Sequence, residues 1–483
     1  MKKLLFLSTL TTLVFASSAL ENRVNYLEEQ IKVLKQDAKD HRADLDEYIP
    51  VIESSEVKTI LDKVNFSPEL EVRTDKLYYK VGEIGGGENT LIYGGDYDSQ
   101  YRRKNYTKDF SPATAIYFKL NMSAKIDKNI KFYGRMIFAT SSQSNERLCI
   151  LSRDIKSVSS TSAFDVDRAY VDYSTNIGFS KPFTFTFGML PTTGGTPMHF
   201  ARDEQRKSMF PALVFDMNTY GVIGTQQIFE ESYLRFILAK AYTLRSNFYQ
   251  YQCNRENIDN ADVIGAYFDT KLHFLQNTLF SFGINYLANF KAHPYLGPDV
   301  DASNAHDLGD ILTFGIGLDV ANLNNTGLTL FAHAAISNPH GNGAVDDYQI
   351  VAPYQDELTA DGSVGFSVAS YAKGEMISDN GYSVYVGTRY AILKNIDVGL
   401  EYNHGSKYWF SATQGSEDIY NKLATRGDVA EIYGMWKFNK YIHIKLGYMY
   451  TNENYTGSGW HFGEPVSKDG EQHVTYLSIK AKF

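Results

Sequence analysis

Residues 116–126 read IYFKLNMSAKI, an unbroken alternation of apolar and polar side chains. In an extended chain Ile116, Phe118 and Leu120 would share one face, and Lys119 would lie on the other. The same two-residue period recurs at 183–188, 312–320 and 442–448. These segments predict strands of about ten residues, the length that crosses a membrane when tilted.

The connections between these segments decide between a membrane barrel and a soluble sandwich, because both folds bury one face of each strand. Tight Asn-bearing turns at 127–129, 275–277, 323–325, 393–395 and 439–440 alternate with long polar connections. The long connections lie near 80–113, 141–163, 191–217, 246–260, 291–309, 338–381, 405–427 and 453–471. Short turns on one rim and long loops on the other predict an all-β chain, a transmembrane antiparallel barrel of about 16 strands over residues 68–483. Residues 364–372 resemble a further strand, but adding it alone would put the 393–395 turn on the wrong rim.

The two ends of the chain indicate export to the bacterial outer membrane. Met1-Lys2-Lys3 precedes an apolar stretch, 4–15, and a small-x-small site at 17–19, so residues 1–19 are expected to be a cleaved signal peptide. No later run of about 18 apolar residues predicts a membrane-spanning helix. Residues 473–483 form an alternating strand that ends on Phe483 and resembles the assembly signal of outer-membrane barrels. The expected surroundings are therefore outer-membrane lipid and lipopolysaccharide.

Residues 20–49 carry a seven-residue apolar repeat. Val24, Ile31 and Ala38 fall at one core position, while Leu27 and Leu34 fall at the other. We expect a periplasmic coiled-coil helix here; a lone amphipathic helix packed on another surface is the alternative. Pro50 would end the helix and open a polar linker over residues 50–67.

Composition and motifs exclude several classes of function. Lys and Arg number 47 against 56 Asp and Glu, a net charge of −9, and no basic run follows a phosphate backbone, so nucleic acid is not an expected partner. The two cysteines, Cys149 and Cys253, form no CxxC or CxxCH motif, and their pairing stays open. No HExxH motif or serine nucleophile elbow is present. We therefore expect no catalytic residues, metal or cofactor.

The connection from Pro191 to Met217 is the candidate site. Its Gly and Pro residues permit a sharp bend into the lumen, and the alternative is an ordinary solvated loop. The charged residues expected at the constriction are Arg202, Asp203, Glu204, Arg206 and Lys207. Those expected on the facing wall are Lys119, Arg135, Arg168, Asp172, Arg235 and Arg389. Basic groups predominate, which favours a path for anions; mixed charges that merely brace a wet lumen are the alternative.

Three motifs resemble a known family. DRAYVD at 167–172, GMLPTTGGTP at 188–197 and PALVFD at 211–216 are similar to an uncharacterised porin-like outer-membrane family of Gram-negative bacteria, a domain of unknown function. The resemblance extends over nearly the whole mature chain. It implies a barrel and a transport role, and it carries no catalytic residues.

These observations favour an outer-membrane channel for passive diffusion of small hydrophilic solutes or ions, with a preference for anions. Porins usually assemble in threes, so a homotrimer is expected. Two alternatives remain: a structural barrel that sheathes or anchors a partner such as a multihaem electron carrier, and a barrel hydrolase.

The heptad repeat generates the first testable prediction. Deleting residues 20–50 should weaken cross-linking between subunits, because a coiled coil stabilises an assembly through its apolar seam. The measurement is chemical cross-linking of full-length and truncated protein in detergent. A full-length protein that cross-links only as a monomer, with no change on truncation, would contradict the prediction.

Overall fold

The structure is a computed structural model. It describes residues 25–39, 64–84, 106–142, 163–178, 181–241, 261–273, 277–292, 306–342, 349–358, 364–370, 377, 379–413, 417–455, 458, 465 and 467–483. The expected signal peptide, most of the linker, Cys149 and Cys253 lie outside these residues. The chain divides into two units, residues 1–65 and 66–483.

Helix α1 covers residues 25–39, inside the segment expected to form the coiled coil, and every one of its side chains is exposed. Its association with further helices stays a prediction. Among the described residues, no helix is long and apolar enough to cross a membrane.

The rest of the described chain contains nineteen strands, one further short helix, two single 3-10 turns and the segments that connect them. The first strands are β1 Val64–Ile84, β2 Tyr106–Asp109, β3 Ala113–Lys125, β4 Ile130–Ser141, β5 Ala163–Thr175 and β6 Phe183–Met189. Helix α2 is Met198–Arg202. The middle strands are β7 Thr219–Phe229, β8 Ser232–Ala241, β9 Asp262–Leu272, β10 Thr278–Ala292, β11 His306–Val320 and β12 Leu328–Gly341. The last strands are β13 Gln349–Leu358, β14 Val364–Ser370, β15 Gly381–Leu393, β16 Ile396–Gly405, β17 Gly427–Lys437, β18 Ile442–Tyr455 and β19 Ser467–Lys482. Two single 3-10 turns lie at Leu323–Asn325 and Lys422–Ala424.

The strands form a closed antiparallel ring. Successive wall strands pair with one another, and β19 returns to pair with β1, with Val72 opposite Ile479. Strand β2 pairs beside β1 and leads into β3, and the two together make one wall strand. The wall therefore has 16 strands, as predicted. The wall begins at Val64, before the expected start at 68.

Short turns and long loops alternate around the ring, also as predicted. In the short turn before β4, the Asp127 carboxylate accepts hydrogen bonds from the backbone N–H groups of Asn129 and Ile130. Asn277 and Asn325 adopt left-handed backbone angles in two other short turns. The doubtful stretch at 364–372 contains β14, which pairs only with β13 in a separate two-stranded sheet. The number of strands in the barrel wall therefore stays even.

The two faces of the wall have opposite character. On β11, Phe314 and Ile316 point outward and are 40% and 50% exposed, whereas the inward Thr313 is buried. Outward-facing Phe236, Leu238 and Leu400 are likewise exposed. A soluble sandwich would bury such apolar side chains, so this outer face suits contact with hydrocarbon.

The closed ring predicts resistance to detergent. Because each wall strand is hydrogen-bonded on both sides, the folded protein should keep its compact form in SDS until boiled. Boiled and unboiled samples should migrate differently in gel electrophoresis. Identical migration of the two samples would argue against a closed barrel.

Candidate lumen site

The long loop between β6 and β7, residues 190–218 and here named L3, folds back against the inner wall. The Arg168 guanidinium donates to the Thr193 carbonyl at 2.7 Å and to its hydroxyl at 3.0 Å. Further along, the Thr196 hydroxyl donates to Asp319 on β11, and the other oxygen of that carboxylate lies 2.9 Å from His333 Nε2. Hydrogen bonds from two sides of the barrel thus hold L3 inside it.

Glycines in L3 and on the inner wall make this close approach possible. A Cβ at Gly195 would lie 1.8 Å from the Phe210 carbonyl oxygen, so only glycine fits at that bend of L3. On the wall, a Cβ at Gly315 would lie 2.8 Å from the Val214 side chain. The inner wall therefore lacks side chains where L3 comes closest.

A second loop also enters the lumen. Residues 406–426, named L7, were expected only as a long polar connection, yet Trp409 and Phe410 are fully buried. They belong to one apolar cluster with Phe210 and Phe215 of L3. The backbone N–H of Asp216 donates to the Ala412 carbonyl at 2.7 Å. L3 and L7 thus pack on each other and form an apolar core inside the barrel.

The opposite side of L3 carries the charges. Arg202 Nη2 lies 3.1 Å from Glu71 of β1, and Arg206 Nη2 lies 3.0 Å from Asp269 of β9. Lys207 Nζ lies 2.6 Å from Glu204 within the loop, and Glu204 also contacts Lys480 of β19. Asp203 accepts from Arg389 of β15 at 2.9 Å. All five charged residues expected at the constriction form ion pairs.

Five of the six expected wall residues join this network. Arg168 and Arg389 contact L3 directly, while Arg235 shares Asp269 with Arg206. Lys119 and Arg135 reach it through Glu417. Asp172 stands apart, because its partner is the Thr186 hydroxyl on β6 at 2.6 Å.

Among the carboxylates that the sequence did not identify are Asp167 and Glu417. Strand β5 has a bulge at Asp167, so Asp167 and Arg168 both point inward and Asp167 pairs with the Arg135 guanidinium. Glu417 belongs to L7, and no local pattern separates it from the other charges of that loop. Its carboxylate contacts Lys119 at 2.6 Å, Arg202 at 2.9 Å and Arg135 at 3.0 Å.

The ionised form of the Glu417 carboxyl group is strongly favoured. Burial alone would raise the pKa of this carboxyl, but the field of Lys119, Lys207, Arg202 and Arg135 outweighs burial and holds the pKa well below its usual range. Among the described residues, no group of three or more His, Cys, Asp or Glu is arranged to hold a metal ion. The site is thus a set of fixed charges that can attract, repel and hold ions.

The apolar core inside the barrel generates a prediction. Phe215→Ala should leave a cavity that costs about 3–5 kcal/mol. This change should destabilise the docked position of L3 and leave the stability of the barrel wall unaffected. Backbone hydrogen exchange over 190–218 should therefore rise, while heat-modifiable migration stays unchanged. Phe236→Ala is the matched control, because Phe236 is 53% exposed on the outer face. Equal exchange in the two variants would show that L3 does not depend on this core.

No curated protein sequence matches this chain, whereas several solved structures of outer-membrane barrels resemble it at low identity. The outer membrane channel DcaP of Acinetobacter baumannii is 12% identical, with 87% of this chain and 97% of that chain covered and a TM-score of 0.41. Pseudomonas putida OprB is 12% identical, with 89% and 96% covered and a TM-score of 0.46. The anion-selective porin from Comamonas acidovorans is 10% identical, with 87% and 100% covered and a TM-score of 0.45.

A family model described as "Protein of unknown function (DUF3373)" matches residues 111–480, a span that contains most of the wall together with L3 and L7. The chain therefore belongs to this DUF3373 family.

Proposed function

We propose that this chain is an outer-membrane channel for passive diffusion of small hydrophilic solutes or ions, with a preference for anions. The observation that carries the proposal is a closed barrel, apolar outside, whose interior holds two loops edged with fixed charges. A passage beside such loops is narrow and poorly hydrated, so fixed charges act on a passing ion more strongly than in bulk water.

The proposed preference for anions rests on three ion pairs of the lumen in which the cation is more exposed to solvent than the carboxylate. The Arg206 side chain is 20% exposed and its partner Asp269 is 4% exposed. The same asymmetry separates Lys207 from Glu204, at 17% and 3%, and Lys437 from Asp397, at 33% and 4%. In these three pairs the cation is the more exposed member, so an ion beside them meets positive charge first, whereas Glu417 is more exposed than its partners Lys119 and Arg135. The net charge of −9 does not oppose this, since charge beyond a Debye length of about 8 Å is screened at physiological salt.

The alternatives fit the interior less well. A sheath for a multihaem electron carrier needs a wide lumen, whereas L3 contacts β1, β9, β11, β15 and β19 from inside. A barrel hydrolase needs a nucleophile and a base facing substrate. Of the described histidines, His333 lies buried against Asp319 beneath L3, and His443 pairs with the carboxylate of Asp203 in L3.

The proposed setting follows from the same features. Outer-membrane lipid and lipopolysaccharide would cover the exposed apolar face, and the N-terminal helix would lie in the periplasm. We propose a homo-oligomer, with a trimer favoured. A separate cofactor or nucleic-acid partner forms no part of this proposal.

The proposal predicts a charge-dependent ion preference. Replacing Arg202, Arg206 and Lys207 together by Gln removes three lumen cations and leaves their carboxylate partners in place. The chloride-over-potassium permeability ratio, measured from the zero-current potential in a planar bilayer under a KCl gradient, should fall several-fold. Gln is preferred to Glu, because a Glu beside Glu71 or Asp269 would bury like charges together.

The matched control changes the same net charge outside the lumen. Lys128, Lys394 and Lys440 are exposed in short turns, and their replacement by Gln should leave the zero-current potential unchanged. Equal shifts in the two triple variants would rule out L3 as the selective element. A wild-type protein that inserts without conducting would overturn the channel itself.

A further inference from the structure

Three cations from three separate elements converge on one point inside the barrel. They are Lys119 of β3, Arg135 of β4 and Arg202 of L3, and all three contact the Glu417 carboxylate. Their arrangement suits a group with two oxygens. Oε1 accepts from Arg135 Nη1 at 3.0 Å, while Oε2 receives Lys119 Nζ at 2.6 Å and Arg202 Nη2 at 2.9 Å.

The carboxylate that these three cations contact belongs to a loop and not to the wall. Glu417 lies in L7, whereas Glu71 and Asp167, which also pair with these cations, are carried by wall strands. Glu204 pairs with Arg202 from within L3. Asp167 accepts from Nε and Nη2 of Arg135, which holds the guanidinium with Nη1 directed at Glu417. Arg202 is likewise held by Glu71. Arg135 and Arg202 would therefore keep their positions without Glu417.

Lys119 differs from Arg135 and Arg202 in its ion pairs. Within the described part of the chain, its one ion pair is with Glu417, and its side chain is almost fully buried. Removing the Glu417 carboxylate would leave a buried ammonium group without an anion in contact, which is costly. Such a position favours any small anion that can replace the lost carboxylate.

We propose that Lys119, Arg135 and Arg202 form a binding site for the carboxylate group of a small solute, and that Glu417 occupies this site when no solute is bound. This rests on the proposed function and narrows it, because it names carboxylate-bearing solutes as the class the channel favours. Arg202 is 19% exposed and Glu417 is 10% exposed, so the site borders the solvent that a solute would cross. A solute carboxylate would enter by displacing Glu417. A planar carboxylate presents two oxygens to these divided donors, as Glu417 does, whereas chloride presents a single acceptor centre.

The test is carboxylate binding to refolded full-length protein in detergent. Acetate is titrated by calorimetry at constant ionic strength against chloride, into wild type, Glu417→Ala and a control variant. Glu417→Ala should bind acetate at least ten-fold more tightly than wild type, because the tethered competitor is gone. The control is Glu471→Ala, which removes a carboxylate paired with Lys80; the Lys80 side chain is 38% exposed and stays hydrated without its partner, so this variant should bind acetate as weakly as wild type.

Two further variants keep the test decisive. Glu417→Gln retains the side-chain volume, so it protects against misfolding of L7, and it should still bind acetate at least three-fold more tightly than wild type. Adding Lys119→Gln to Glu417→Ala should abolish the gain in acetate affinity. Acetate affinity in Glu417→Ala and Glu417→Gln no tighter than in wild type, with both variants heat-modifiable, would overturn the site.

The outcome separates this site from the channel. A wild-type protein that conducts in a bilayer, beside a Glu417→Ala variant that does not bind acetate, would remove the carboxylate site and leave the channel standing. Tight acetate binding by Glu417→Ala in a barrel that does not conduct would support the site and remove the channel.

Discussion

The structure depends on closure of the backbone hydrogen-bond ring between β1 and β19. In hydrocarbon no water can satisfy an exposed N–H or C=O group, so an open sheet edge would be prohibitively costly. Closure joins residues 69–84 to residues 468–482, at opposite ends of the chain. Once the ring is closed, each strand has one face toward the exterior and one toward the lumen, and the long loops can only stand above the rim or fold inside.

Two loops fold inside, and each does so for a physical reason. L3 approaches a stretch of wall that lacks side chains at Gly283 and Gly315. L7 adds Trp409 and Phe410, which would otherwise be apolar groups in water. The apolar core that a soluble protein builds between its sheets is here built between loops and wall. The charged edge of L3 then faces the opposite wall, where cations and carboxylates from many strands pair.

This pairing changes the effect that the basic lumen residues would have on an ion. Counted along the sequence, Lys119, Arg135, Arg202, Arg206 and Lys207 look like a bare positive path. In the barrel each of them contacts a carboxylate, so the selectivity of the proposed channel would depend on which partner faces the solvent. Asymmetry of exposure, rather than charge count, is the quantity that a passing ion would sense.

The sequence by itself determined the strand pattern, the alternation of turns and long loops, the number of wall strands and the apolar face that the strands turn outward. These features are local, because a two-residue period and a turn are complete within a few residues. Only the tertiary structure decided that L7 joins L3, that a bulge turns Asp167 inward, and that Glu417 meets three cations. Lys119 and Glu417 are 298 residues apart, and such a contact exists only after the ring has closed and two loops have packed inside it.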